Sequence, residues 1–258
     1  MTLDGFYTFL TVMTAIAAVV FVVLFFVDAG YGKFLNPKFG PTIPNRIGWV
    51  LMESPVFIAM TIVWLLSERT WEVMPLVFFV IFQTHYFQRS FIFPMLIRGN
   101  GRIPISIMLM GATFNTLNAL MQGGWIFHFG AMVNPAMYDI SWLGSWQFIV
   151  GTLMWAAGFF INLQSDYIIR HLRKPGDTRH YIPRGGMFRY VSSANYFGEF
   201  MEWCGFALLT WNPAGAVFAI WTFANLGPRA NSIYHKYEKE FGEEFTSLKL
   251  KRMIPFIY

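Results

Sequence analysis

Stretches of about eighteen or more mostly apolar residues recur along this chain, the plainest being FYTFLTVMTAIAAVVFVVLFFV near its start. Such runs do not suit a water-facing surface, whereas a helix of roughly 20 residues matches a hydrocarbon core about 30 Å thick. Spacing of the runs predicts seven spans, at about 6–27, 46–66, 73–96, 103–123, 143–170, 190–211 and 214–238. Asn212-Pro213 lies between the last two and reads as a tight helix–turn–helix hairpin. The expected fold is an all-α, multi-pass membrane protein forming a single domain over residues 1–258.

Composition agrees: 55% of residues are apolar, 19% aromatic and only 13% charged. The opening residues MTLDG carry an acid and no cationic region, so the first run reads as a retained span rather than a cleaved signal. Cys204 is the one cysteine, which excludes an intramolecular disulfide and CxxC metal spacing, and it reads as helix packing.

The net charge of +5 sits in short loops beside spans. Lys33, Lys38 and Arg46 flank the entry to the second span, and Arg98 and Arg102 separate the third from the fourth. The 171–189 loop is the most basic, and Lys236, Lys239, Lys249, Lys251 and Arg252 follow near the C-terminus. Alternate loops, 67–72 and 124–142, share one cation, Arg69. By the positive-inside rule the N-terminus lies outside and the C-terminus in the cytosol. Basic residues explained by topology, with no stacking platform among them, do not indicate nucleic-acid binding.

Polar residues within spans are costly, roughly 2.5–3.5 kcal/mol for a central charge, and so point to function. Glu53 falls roughly 10 Å inside the second span and Tyr86 roughly 12–18 Å inside the antiparallel third. At that shared depth a carboxylate and a phenol can meet through a hydrogen bond and polarise a carbonyl or pass a proton. The plainer alternative pairs Glu53 with Arg89 or His85. Asn115, Asn118 and Gln122 share one face of the fourth span, as interhelical glue or as the lining for a substrate's polar end. Asn162, Asp166, Arg170 and Arg173 form a stripe running into the basic loop, and Asn225, Arg229, Ser232 and Lys236 form another. Both converge with Asn195 and Glu199 near the cytosolic surface, where a large anionic, phosphorylated cofactor would fit.

No GxGxxG, Walker loop, HExxH or GxSxG is present, and the five histidines lack metal-ligand spacing, so no metal is expected.

The segments Met52-Glu53-Ser54-Pro55, HYFQRSF at 85–91, Gly101-Arg102, NLQSDYIIRHLRKPG at 162–176, IPRGGMFRYVSSANYFGEFMEW at 182–203 and IPFIY at 254–258 resemble the steroid 5α-reductases. The resemblance spans most of the chain, is dense from residue 155 onward, and looks like a bacterial member. It implies an NADPH-dependent 3-oxo-5α-steroid 4-dehydrogenase that reduces the Δ4 bond of 3-oxo-Δ4-steroids, with hydride going to C5 and a proton to C4. By the same resemblance Glu53 and Tyr86 hold the C3 carbonyl. Arg102, Asn162, Asp166, Arg173, Asn195, Glu199, Arg229 and Tyr237 surround the dinucleotide. Residues 1–123 would then form the substrate side and 143–258 the NADPH side. The expected partners are a steroid or related enone lipid and membrane lipid, with the protein a monomer. Its location would be the inner membrane of a bacterium or the endoplasmic reticulum of a eukaryote. Met52, Tyr181 and Tyr234 depart from the family's usual Gln, Arg and His.

Two rival readings differ in class. An isoprenylcysteine-type, S-adenosylmethionine-dependent membrane methyltransferase shares the Arg189, Tyr190, Gly198, Glu199 pattern but lacks a need for Glu53 and Tyr86. A non-catalytic sterol-binding protein on the same fold would be expected to have lost those residues or the dinucleotide contacts.

Overall fold

The computed structural model describes residues 1–27, 30, 35–174, 177 and 179–258. Lys33, part of the expected basic loop, lies outside the described residues. Helix dominates. The first helix, α1, spans Leu3–Val23, and the Thr2 hydroxyl caps it by accepting from the Gly5 amide at 3.1 Å. Thr8, Thr11 and Thr14 donate to carbonyls one turn back at 2.8–2.9 Å, so their hydroxyls are satisfied within an apolar segment. Next come α2 (Asn45–Leu65) and α3 (Val73–Phe87). The latter continues through a π-helical turn at Gln88–Ile92 into α4 (Phe93–Leu96).

After α5 (Ile105–Gly124) a second π turn, Trp125–Phe129, leads into α6 (Gly130–Val133). The sequence reading ended this helix near 123. It runs on because Trp125, Ile126, Phe127 and Phe129 are buried, with the Phe6 ring 4.8 Å from that of Phe129. Packing overrides the weak helix preference of Gly123-Gly124. Two 3₁₀ turns then precede α7 (Trp146–His171), which Ser145 caps through the Phe148 amide at 3.1 Å.

A 3₁₀ turn at Gly186–Arg189 precedes α8 (Ala194–Thr210). Trp211, in the left-handed region, ends α8, and Asn212 accepts from Gly215 at 2.6 Å to start α9 (Pro213–Phe241). A short α10 (Glu243–Thr246) closes the series.

By length and hydropathy, α1, α2 and α7 are each long and apolar enough to cross a membrane. Their outer faces leave Val12, Ile16, Val19, Leu51, Ile58, Ile62, Leu153 and Phe160 exposed, as suits contact with hydrocarbon. The helices α3 and α8 have 15 and 17 residues, and α5 carries three buried amides.

The fold is mostly helical, as expected, with one short ribbon that the sequence reading did not anticipate. Thr42–Pro44 (β1) and Arg102–Pro104 (β2) pair antiparallel, with Ile43 opposite Ile103. Each strand ends in a proline, which holds the preceding residue extended, so the entries to α2 and α5 become a ribbon rather than helical turns. Residues near the C-terminus also leave the helical pattern. The Ser192 and Ser193 amides donate to the Lys251 and Arg252 carbonyls at 2.8 and 3.1 Å, and Lys251 donates back to Tyr190 at 2.9 Å. Met253, fully buried beside Leu226 and Ala230, anchors that segment.

Candidate active site

Four glycines bring α7 and α8 into backbone contact. A methyl group on Gly158 would lie 2.4 Å from the Glu202 nitrogen, and one on Gly198 2.5 Å from the Asn162 nitrogen. Methyls on Gly151 and Gly205 would meet Leu209 and Trp155 equally closely, both at 2.4 Å. Only the absence of side chains permits this approach. It sets Asn162 and Asp166 against the start of α8, where the Asn162 amide donates to the Asn195 carbonyl at 3.0 Å.

This seam forms one wall of a cavity of about 830 Å³, within the range of ligand sites. Of the residues singled out from sequence, Asp166, Arg173, Asn195, Arg229 and Tyr237 line it. Asn162 and Glu199 sit outside the lining, Asn162 as a brace and Glu199 in an ion pair. Arg102 is not brought here. Its guanidinium donates to the Thr42 hydroxyl and carbonyl at 2.7 and 2.6 Å, so the β-ribbon takes the side chain the sequence reading gave to the cofactor.

Arg46, Arg98, Arg170 and Lys174 add to the cationic lining. Arg46 and Arg98 were read from sequence only as topology signals, because their convergence depends on the ribbon and on the end of α4. Arg98 donates to the Arg170 carbonyl at 3.2 Å, and Arg46 donates to that of Ile97 at 2.7 Å. The Asn45 side-chain oxygen Oδ1 and the Ser193 hydroxyl, on residues that line the cavity, are buried without a partner. Six cations, two carboxylates and unspent polar atoms suit a phosphorylated ligand with a polar, hydrogen-bonding end.

At the outer edge the Asp177 carboxyl accepts from Arg179 at 3.0–3.1 Å and from the Tyr181 hydroxyl at 2.6 Å. The Arg179 contacts first, then Tyr181, hold Asp177 well below the usual carboxylate range. Tyr181, where the resembled family commonly has arginine, is thus spent on orienting an acid at the mouth. Tyr234 packs edge-on against Phe245 and is not in the lining.

Deeper, polar residues pair across helices. Arg89, within the first π turn, reaches Asp166 at 3.2 Å and Glu199 at 3.5 Å, with its guanidinium over the Phe93 and Trp49 rings. His85 Nδ1 meets Glu202 Oε1 at 2.8 Å. These contacts join α3 to the α7–α8 wall. They span up to 117 positions, so no local periodicity announces them.

Glu53 and Tyr86 do not hydrogen-bond each other, contrary to the depth argument. Each is held instead by α5. Asn115 Nδ2 donates to Glu53 Oε2 at 3.1 Å and to the Met52 carbonyl at 2.8 Å, and Asn118 Nδ2 donates to the Tyr86 oxygen at 2.9 Å. Two asparagines about one turn apart therefore present the acid and the phenol from a common face. Gln122, the third member of that face, donates to the Ala214 carbonyl at 2.9 Å and acts as glue between α5 and α9. The Met52 side chain packs against Gly111, where glycine leaves room for it.

Comparison with known proteins bears on this arrangement. The family model described as 3-oxo-5-alpha-steroid 4-dehydrogenase matches residues 101–258. The 3-oxo-5-alpha-steroid 4-dehydrogenase 1 of Macaca fascicularis is 39% identical over 234 residues, covering 90% of this chain and 86% of that protein. The Homo sapiens protein of the same name is 38% identical over 231 residues, 88% of this chain and 86% of its own length. Steroid 5-alpha-reductase DET2 of Gossypium hirsutum is 34% identical over 257 residues, 98% and 97% of the two chains.

Proposed function

The chain belongs to the 3-oxo-5-alpha-steroid 4-dehydrogenase family, and from that premise we propose that it reduces the Δ4 double bond of 3-oxo-Δ4-steroids to 5α products at the expense of NADPH. In this reading it crosses the membrane seven times, with its N-terminus outside and its basic loops in the cytosol. The cationic cavity then opens toward the compartment that holds the dinucleotide.

Asp166, Arg173, Asn195, Arg229 and Tyr237, which line the cavity, would hold the cofactor, and Arg46, Arg98 and Arg170 would offer positive charge to its phosphates. NADPH, when bound, supplies the hydride that adds to C5 of the enone. Tyr86 and Glu53 grip the C3 oxygen. As hydride arrives, the carbon–carbon double-bond electrons shift toward that oxygen, and hydrogen bonds there stabilise the enolate-like charge. Collapse of the enolate takes a proton from solvent water at C4, so that hydride and proton together saturate the double bond. Asn118 donates into the Tyr86 oxygen, which leaves the phenol proton free for the ketone. Asn115 donates to Glu53 Oε2, so Oε1 is the oxygen that would carry a proton toward the substrate carbonyl.

The observation that carries the reading is the shared support of Glu53 and Tyr86 by Asn115 and Asn118. The test is loss of NADPH absorbance by purified protein with a panel of 3-oxo-Δ4-steroids, with S-adenosylmethionine binding as the counter-test. Steroid-dependent oxidation is expected. Binding of S-adenosylmethionine without any steroid-dependent oxidation would overturn the proposal.

A further inference from the structure

Glu202 is fully buried, His85 is 3% exposed, and the two are joined at 2.8 Å between α8 and α3. Neither lines the cavity, and nothing in the proposed reaction uses them directly. A buried carboxylate is costly, and an apolar pair of similar volume often holds two helices as well. Its use here calls for an explanation beyond adhesion.

The neighbours supply one. His85 precedes Tyr86, and Glu202 precedes Trp203. The Trp203 ring lies 4.6 Å from that of His85 and 5.6 Å from that of Tyr86. Two consecutive residues of α8 thus grip two consecutive residues of α3, one contact polar and one aromatic. The aromatic contact tolerates rotation of α3, whereas the hydrogen bond has direction and fixes the turn that carries Tyr86. On the α8 side, Glu202 sits where Gly158 presses the backbone of α7 against it. One turn along α3, at the start of the π turn, Arg89 meets the same wall through Asp166 and Glu199. Asp166 also faces the cavity.

We propose that the His85–Glu202 hydrogen bond is a positioning device that sets the Tyr86 phenol relative to the α7–α8 wall of the cofactor cavity. The inference rests on the reading of Tyr86 as a holder of the substrate carbonyl. Both residues act through Tyr86 and are positioning residues, not catalytic ones.

A double-mutant cycle tests this. Glu202→Met, close in volume and without an acceptor, is expected to lower kcat at least tenfold while dinucleotide Kd stays within about twofold. Glu202→Gln and His85→Asn keep a hydrogen-bonding group at the contact and are expected to stay within about threefold of wild-type kcat. In a Tyr86→Phe background, Glu202→Met is expected to lose most of its effect. If Glu202→Met does not yield folded protein, His85→Phe, which keeps a ring against Trp203, carries the same comparison. The inference alone falls if the two effects multiply, or if Glu202→Gln loses as much as Glu202→Met. Wild-type turnover by Tyr86→Phe would instead remove the carbonyl reading, and this inference with it.

Discussion

Asn118 donates a 2.9 Å hydrogen bond to the phenol oxygen of Tyr86, from a position about one helical turn along α5 from the asparagine that holds Glu53. The phenol's acceptor side is therefore occupied before a substrate arrives. Asn118→Leu is expected to lower kcat about twofold to tenfold, the range for one hydrogen bond of roughly 0.5–1.5 kcal/mol. Steady-state kinetics with the dinucleotide varied should show its KM unchanged.

Tyr86→Phe removes the phenol, and Glu53→Gln replaces the acid by a non-acidic amide, at the two positions proposed to hold the ketone. Each is expected to cut steroid reduction by about 10²–10³, the scale for a lost oxyanion donor. Dinucleotide affinity, measured by fluorescence titration, should move far less. Parallel losses in affinity and turnover would count against the division of labour between cavity and clamp.

Arg173 faces the cavity from the C-terminal side of α7. Arg173→Ala is expected to raise the KM for NADPH by about tenfold to a hundredfold, as for loss of a charge-assisted contact, with a smaller change in kcat. An unchanged KM would return Arg173 to the role of a positive-inside residue.

Gly158→Ala places a methyl 2.4 Å from the Glu202 backbone nitrogen, where no side chain can yield. A loss of about 1–3 kcal/mol is expected from overpacking, read as a lower thermal midpoint in detergent. Gly144→Ala, with open space around the added carbon, serves as the comparison and should melt like wild type.

Asp177 is held below the ordinary carboxylate range by Arg179 and Tyr181. A depressed folded-state value contributes stability that is present above the unfolded value, about 3.9, and lost as pH falls toward the folded one. Thermal midpoints of wild type and Asp177→Asn should therefore differ by a constant amount from about pH 5 to 8, and the difference should shrink steadily as pH falls below about 4 toward the folded-state value.

Much of the frame was legible because long apolar runs have few alternative uses. Asp166, Arg173, Asn195, Arg229 and Tyr237 meet in the cavity because helical spacing and short connections leave little freedom in how their stripes converge. The pairing of Arg102 with Thr42 was not legible, since a three-residue ribbon has no signature beyond its prolines. A depth estimate of several ångströms could bring Glu53 and Tyr86 to one level but could not reveal that Asn115 and Asn118 stand as their partners. His85 and Glu202 lay beyond sequence reasoning for a different reason: their meeting depends on how α3 is rotated and on glycine contacts elsewhere.

The pairing of residues 190–193 with 251–252 bears on how the protein is made. Helices α7, α8 and α9 are synthesised in that order. Yet the Ser192 and Ser193 amides gain their acceptors only after Lys251 and Arg252 have left the ribosome. Because both serines line the cavity, its wall is set late, and a nascent chain halted after α9 would hold its helices without yet having a finished ligand site.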